Sequence, residues 1–181
     1  MPSLPKLTHL PTRHPRSCAS LSLPLLAFLN DTLPPPPAPT LSVGSGPGLL
    51  EAAFIHQYPK RSAAPISFYG IEVSTDPASP PVNRFLPEQS SLVVPGTWAV
   101  AREAEEAEGL VFVYPRQPGL IARYLDAGKG VRVVVWIGPR CDEEEMCEPL
   151  RRWGVEEEVD EGLVEEGERV VVYRRREGEE G

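Results

Sequence analysis

The sequence has few cysteines, no long apolar run and no cluster of metal-binding side chains, and each absence excludes a class of protein. Its three cysteines, Cys18, Cys141 and Cys147, form no CxxC pair and are odd in number. Neither a disulfide framework nor a zinc site is therefore predicted. The leucine-rich stretch at 21–29 is interrupted by serine and proline and is far too short to span a membrane. We expect an intracellular protein in a reducing compartment, with no membrane segment and no metal site.

Common catalytic motifs are missing as well. The chain has no GxxxxGK[ST] loop for nucleoside triphosphates, no HExxH motif and no GxSxG nucleophile elbow. Its three histidines, His9, His14 and His56, do not cluster. Phosphoryl transfer by a P-loop, zinc peptidase chemistry and serine hydrolase chemistry are therefore not predicted.

Positive charge is scarce, and its distribution argues against nucleic-acid binding. The net charge is −8, but residues 1–141 carry 12 basic and 10 acidic side chains, whereas residues 142–181 carry 6 and 16. No basic stripe of the kind that follows a phosphate backbone is present. The acidic C-terminal region is interpreted as a solvated surface, with an acidic interaction surface as the alternative.

Proline is abundant, and it outlines the domain organisation. The 22 prolines are more than double the usual share and concentrate in the first forty residues and at 77–95. Residues 1–38 are predicted to form a proline-rich leader with a short helix at 19–30. The leader is basic and faintly resembles a transit peptide, although its prolines disfavour an amphipathic helix. A cytoplasmic location is predicted, with mitochondrial or nuclear location as alternatives.

Strand and helix patterns alternate after the leader. Apolar strand patterns occur at 40–43, 66–73, 92–94, 110–114, 131–137, 155–159 and 169–174. Helical patterns occur at 47–58, 99–108, 120–127 and 142–153, the last with Asp142 as its predicted cap. The region 74–87 is rich in proline and is expected to be a loop. Such alternation predicts parallel β-α-β units with right-handed crossovers.

The most informative segment is the run TLSVGSGPGLLE at 40–51. A short strand leads into three closely spaced glycines, Gly44, Gly46 and Gly48, and a helix begins at once. The second strand then ends in a carboxylate, Glu72. Glycines let the backbone approach a ligand, a helix N-terminus offers free N–H groups, and a carboxylate can accept two ribose hydroxyls. These features predict a site for a nucleoside-bearing cofactor.

With G-x-G-x-G spacing in place of the dinucleotide G-x-G-x-x-G, the chain resembles the class I S-adenosylmethionine-dependent methyltransferases. The resemblance extends over residues 39–175, taken as one methyltransferase-like domain before a charged tail at 176–181, and it is specific at 40–51 and 70–73. It implies an α/β fold: a Rossmann-like three-layer sandwich with a mostly parallel seven-stranded sheet and an antiparallel C-terminal strand. It also implies S-adenosylmethionine as the cofactor.

The resemblance assigns roles to residues at the ends of the first four strands. Those implied to bind the cofactor are Gly44, Ser45, Gly46, Gly48, Glu72, Thr97 and Trp98, and those implied to orient a methyl acceptor are Tyr114 and Arg116. Other interpretations stay open: Trp98 as a core or lid residue, and Tyr114 to Arg116 as a rigid turn with a surface arginine. Arg116 and Arg140 each follow a strand and could together bind a carboxylate or phosphate.

The chain also departs from the family pattern. Ser42 replaces an acidic residue before the first glycine, Thr97 replaces an aspartate after the third strand, and no cysteine is expected at a nucleophile position. Losing two hydrogen bonds to charged groups would weaken cofactor binding by roughly one to four decades. The first hypothesis is a methyltransferase with an unknown acceptor. The alternatives are a non-catalytic, methyltransferase-like binding or scaffold subunit with a protein partner, and a nicotinamide-dependent oxidoreductase, which the glycine spacing disfavours.

Overall fold

A computed structural model describes residues 2–74 and 82–176. Seven strands form one sheet in the order β3-β2-β1-β4-β5-β7-β6. The strands are β1 (Thr40–Val43), β2 (Phe68–Val73), β3 (Ser91–Val94), β4 (Gly109–Val113), β5 (Val133–Pro139), β6 (Gly154–Glu157) and β7 (Glu168–Arg175). The α-helices are α1 (Leu23–Thr32), α2 (Leu49–Gln57), α3 (Pro118–Ala127), α4 (Glu143–Met146) and α5 (Glu148–Trp153).

The strand directions confirm the predicted sheet. Strands β3, β2, β1, β4 and β5 pair in parallel, and β7 is antiparallel to both β5 and β6. Because parallel strands present their carboxyl ends at one edge, the segments that follow β1, β2, β3 and β4 meet there. This edge is where the sequence predicts a ligand site.

The sheet is covered on both faces, and β4 shows how its side chains are divided. Val111 and Val113 pack into the core that contains α1 and α2. Leu110 and Phe112 pack into the opposite core, which contains α3 and α5. Strands of a parallel sheet that are buried on both faces read as continuous apolar runs, as β4 does.

Two predicted helices differ from the structure. The polar helix expected at 99–108 is a 3-10 turn at Arg102–Glu106, where Ala104 is buried and the glutamates offer no apolar stripe to hold a longer helix on the sheet. The helix expected from Asp142 to Trp153 is divided into α4 and α5. Pro149 lies in the first turn of α5, where its missing N–H cannot continue the hydrogen-bond ladder of α4. Asp142 makes no side-chain capping bond.

The segment before β1 packs on the face of the sheet that α2 covers. Leu25, Leu26 and Leu29 of α1 are buried in the same core as α2. Upstream, the backbone N–H and the hydroxyl of Ser20 donate to the buried carboxylate of Glu168. These hydrogen bonds hold the segment that precedes α1 against the start of β7. No helix within 2–74 or 82–176 has the length and apolar character needed to cross a membrane.

Candidate cofactor site

A hollow of about 350 Å³ lies at the carboxyl ends of β1, β2, β3 and β4. This volume is within the range of small-molecule sites. Its wall is largely apolar, formed by Val43, Ile71, Val73, Val94, Val113, Leu120 and Tyr124. Polar groups from the four strand ends face the same space, so the hollow combines an apolar surface for a ring with hydrogen-bonding groups for its substituents.

The turn after β1 approaches this hollow with its backbone. Gly44 has φ +80° and Gly46 has φ +55°, in the left-handed region that strains other residues. A Cβ added to Gly46 would meet no atom within 4 Å, so the missing side chain leaves open space. The amides of Gly44 and Ser45 both donate to the carbonyl of Ile71, at 3.0 and 3.1 Å, which fixes the turn against β2.

Glu72 meets the glycine turn directly. One carboxylate oxygen accepts the N–H of Gly46 at 2.7 Å, and the other accepts the N–H of Val73 at 2.8 Å. An ionised carboxylate offers about four lone-pair positions. Each oxygen therefore keeps capacity for a further donor, while the two amides hold the group in place. The turn and the acid, 26 residues apart, line one hollow.

Two residues assigned to the cofactor lie behind the turn and do not face the hollow. The Ser45 hydroxyl is buried, 3.2 Å from the carbonyl of Ile71 and 3.0 Å from the Asn83 side-chain oxygen. Gly48 faces Leu86, since a Cβ there would lie 2.9 Å from that side chain. Both residues therefore pack against the side of the turn that faces away from the hollow, and neither is part of its lining.

The end of β3 contributes Thr97 but not the Trp98 ring. Thr97 lines the hollow with Gly96. Trp98 is half exposed, and its ring lies over Gly119 at the start of α3, 3.1 Å from where a Cβ would stand. Both residues lie in a turn after β3, where the N–H of Ala99 donates to the carbonyl of Gly96 at 3.0 Å. The Trp98 side chain lies outside the lining of the hollow.

The end of β4 brings Tyr114 and Arg116 to the hollow, but the Tyr114 hydroxyl is already engaged. It donates to Glu168 at 2.5 Å, and burial, with that carboxylate, raises the pKa of Tyr114 well above its ordinary value. The donor hydrogen of this hydroxyl is therefore committed to Glu168. Arg140 is away from the hollow, with its Nε bonded to the carbonyl of Glu166 and its guanidinium 3.6 Å from Glu161. The predicted pair of rim arginines is reduced to Arg116.

Cys18 was missed by sequence reasoning. It comes from the segment before α1 and lines the hollow beside the residues that follow β4. Burial raises the pKa of its thiol, and the nearby Arg116 opposes that shift. No pattern around residue 18 indicates this position, because tertiary packing of the segment alone brings it to the sheet edge.

Glu51 is a buried carboxyl group that the sequence did not single out. Its side chain is 1% exposed in the first turn of α2, and one oxygen accepts the Ser42 hydroxyl at 2.6 Å. The other oxygen has no hydrogen-bond partner. Burial raises the pKa of Glu51 to about 7. The Ser42 hydroxyl thus contacts a carboxylate supplied by α2, and both residues lie outside the lining of the hollow.

No protein-family model matches the chain, and no curated protein matches its sequence. Solved structures do share its fold. A protein described as a class I S-adenosylmethionine-dependent methyltransferase from Listeria monocytogenes aligns over 86% of this chain and 59% of that chain, with 10% identity and a TM-score of 0.54. The pyocyanin biosynthetic protein PhzM aligns over 84% of this chain and 54% of that chain, with 16% identity and a TM-score of 0.52.

A third neighbour is a protein of the NADB-Rossmann superfamily from Streptococcus agalactiae. It aligns over 83% of this chain and 67% of that chain, with 17% identity and a TM-score of 0.51. The chain thus spans between about half and two thirds of the length of these three proteins. At such identities the likeness shows the fold alone, and the fold is the Rossmann-like one that class I methyltransferases share.

Proposed function

We propose that this protein binds S-adenosylmethionine in the hollow and transfers its methyl group to an acceptor. The observation that carries the proposal is the meeting of the glycine turn and Glu72. Gly46 donates to the same carboxylate that lines the hollow beside it. A backbone turn that approaches closely, with an acid fixed next to it, suits a ligand that carries a ribose diol.

The residues present fit such a cofactor. Glu72 would accept the ribose hydroxyls through the oxygen lone pairs that its two amide donors leave open. The apolar wall would hold the adenine ring, with the Thr97 hydroxyl in reach of the hollow. When bound, S-adenosylmethionine supplies a methyl group already activated on a sulfonium, so the chain's own contribution is alignment of the acceptor. Arg116 is a lining residue whose charged group is available for that task.

The sheet supports this cofactor over a dinucleotide. In the dinucleotide-binding arrangement the strands follow the order 3-2-1-4-5-6. Here β7 is inserted antiparallel between β5 and β6, as the resemblance to methyltransferases implied. Together with the G-x-G-x-G spacing, this insertion favours an adenosyl-sulfonium cofactor over a nicotinamide one.

A non-catalytic, methyltransferase-like binding subunit is the second candidate. Three observations favour it: Ser42 and Thr97 replace family acids, and the Tyr114 hydroxyl is bonded to Glu168. A protein of this kind would keep the fold and use its outer surface to bind a protein partner. The two candidates differ in their expected affinity for S-adenosylmethionine and in whether they transfer its methyl group.

Isothermal titration calorimetry on the full chain tests the proposal. S-adenosylmethionine, S-adenosylhomocysteine and NAD are titrated separately into wild type, Glu72→Gln and the control Glu88→Gln, which removes an exposed carboxylate after the 82–87 segment. We expect the two adenosyl compounds to bind wild type and Glu88→Gln alike, and NAD to give no heat. Glu72→Gln is expected to bind them about 10- to 100-fold more weakly, the loss associated with hydrogen bonds to a charged group.

The outcomes separate the candidates. Heat with NAD but not with the adenosyl compounds would overturn the choice of cofactor. No heat with any of the three, in protein that unfolds cooperatively, would support the non-catalytic subunit. Equal binding by wild type and Glu72→Gln would show that the hollow is not the site.

A further inference from the structure

Of the described residues that line the hollow, Arg116 alone carries a positive charge. The lining carboxylate of Glu72 already accepts two backbone N–H groups, and no ion pair joins it to Arg116. Arg116 is also exposed, so it stands at the mouth, where a second ligand would enter. Among the residues that the structure describes, no acidic side chain pairs with this guanidinium beside the apolar wall.

This lack of a partner is unusual in the chain. The sequence has 26 acidic side chains for 18 basic ones, and in the described regions nearly every arginine uses its guanidinium. Arg13, Arg132, Arg152, Arg169 and Arg174 pair with carboxylates, and Arg61, Arg123, Arg151, Arg175 and Arg176 donate to carbonyls. Within 2–74 and 82–176, Arg116 and Arg84 are the arginines whose guanidinium makes no hydrogen bond, ion pair or ring contact.

Arg84 provides the comparison. It is exposed and adjoins the buried Asn83, but it does not line the hollow. An unpaired arginine on an open surface is solvated and has no evident task. Arg116 differs because it shares a concave site with the proposed cofactor residues, where a planar guanidinium can bind a carboxylate or phosphate through two parallel hydrogen bonds.

We propose that Arg116 binds an acidic group of the methyl acceptor, a carboxylate or a phosphate, at the mouth of the hollow. The inference rests on the proposed function, since it assigns the acceptor end of that same site. It specifies the class of acceptor as a small acid or phosphorylated compound. Neutral or cationic acceptors would leave the guanidinium without a partner.

The reactivity of the Cys18 thiol can report on the charge of Arg116, because Cys18 lines the same hollow and lies within electrostatic range of the guanidinium. Alkylation rates at each cysteine are measured by mass spectrometry with iodoacetate, which is anionic, and iodoacetamide, which is neutral. Cys141 is exposed and outside the hollow, so it controls for reagent quality and overall charge. The ratio of iodoacetate to iodoacetamide rates at Cys18 should fall roughly three- to tenfold in Arg116→Gln. It should stay unchanged in Arg84→Gln, and the ratio at Cys141 should be unchanged in both.

Competing anions then identify the acidic group. Inorganic phosphate and acetate are added at constant ionic strength, with chloride as the reference, and iodoacetamide alkylation of Cys18 is followed. Slower alkylation than in chloride, lost in Arg116→Gln, supports the proposal, and the anion that protects more strongly indicates phosphate or carboxylate. Protection no greater than in chloride, protection retained in Arg116→Gln, or an unchanged reagent ratio would overturn it.

S-adenosylhomocysteine binding separates this inference from the proposed function. Arg116→Gln should bind it within about twofold of wild type, because the arginine is assigned to the acceptor. A loss above tenfold would place Arg116 in the cofactor subsite and overturn the inference while supporting the cofactor. If wild type binds no S-adenosylhomocysteine, the proposed function fails and the acceptor assignment fails with it, whatever the anion results.

Discussion

Replacing Glu51 by glutamine should stabilise the protein at pH 8 but not at pH 5. The Glu51 carboxyl is 1% exposed, one oxygen accepts the Ser42 hydroxyl, and the other has no hydrogen-bond partner. Burial raises the pKa of this group from the ordinary 4.5 to about 7. The unfolded chain therefore releases the proton at lower pH than the folded protein does.

The sign and size follow from proton linkage. Between about pH 4.5 and pH 7 the unfolded state binds fewer protons at Glu51 than the folded state. The free energy of unfolding consequently falls as pH rises through this window and is level above it. The difference between the two pKa values corresponds to about 3 kcal/mol of lost stability at pH 8. Glutamine has nearly the same shape and no proton to lose, so it avoids this cost.

Urea denaturation at pH 5, 6, 7 and 8, at constant ionic strength, measures the effect. The stability of Glu51→Gln minus that of wild type should increase by about 2 to 3 kcal/mol from pH 5 to pH 8. Glu88→Gln, which removes an exposed carboxylate, is the control for the loss of a carboxyl group from the surface. A difference between Glu51→Gln and wild type that does not change with pH would refute the reasoning, since it would mean that Glu51 titrates alike in both states.

Three further predictions concern the turn, the end of β4 and the first helix. Gly46→Ala should cost about 1–2 kcal/mol because φ is +55° there, and it should weaken S-adenosylhomocysteine binding, whereas Gly167→Ala, which has open space and no positive φ, should be close to neutral in urea denaturation. Tyr114→Phe should cost about 1–3 kcal/mol by removing a bond to the buried Glu168, with calorimetry showing S-adenosylhomocysteine affinity within about twofold of wild type; a loss above tenfold would return the hydroxyl to the ligand site. Leu29→Ala should cost about 2–5 kcal/mol because this side chain of α1 is buried in the core, and a cost below about 1 kcal/mol would mean that α1 contributes little to that core.

The backbone path could be predicted from sequence in large part. Strand β1 was predicted at its observed bounds, and the alternation of strand and helix patterns predicted the parallel part of the sheet. Helices without a strong apolar stripe were less predictable. The segment at 99–108 has good helix formers but forms only a 3-10 turn, since most helical stability comes from tertiary packing.

The candidate site was predictable where a residue acts through its backbone or directly follows a strand. Gly44, Gly46, Glu72 and Thr97 all line the hollow. Trp98 does not, because the direction of a side chain beyond a strand end depends on what packs against it.

The order of elements and the glycine-and-acid pair at the sheet edge were therefore determined by the sequence itself. They rest on local periodicity and on backbone freedom at glycine, which depend on near neighbours in the chain. Tertiary structure decided which polar groups are already partnered. Tyr114 meets Glu168 across 54 residues, and Cys18 reaches the hollow from a segment with no pattern of its own. Such contacts depend on how distant segments pack, and within 2–74 and 82–176 that packing leaves the guanidinium of Arg116 unpaired at the hollow.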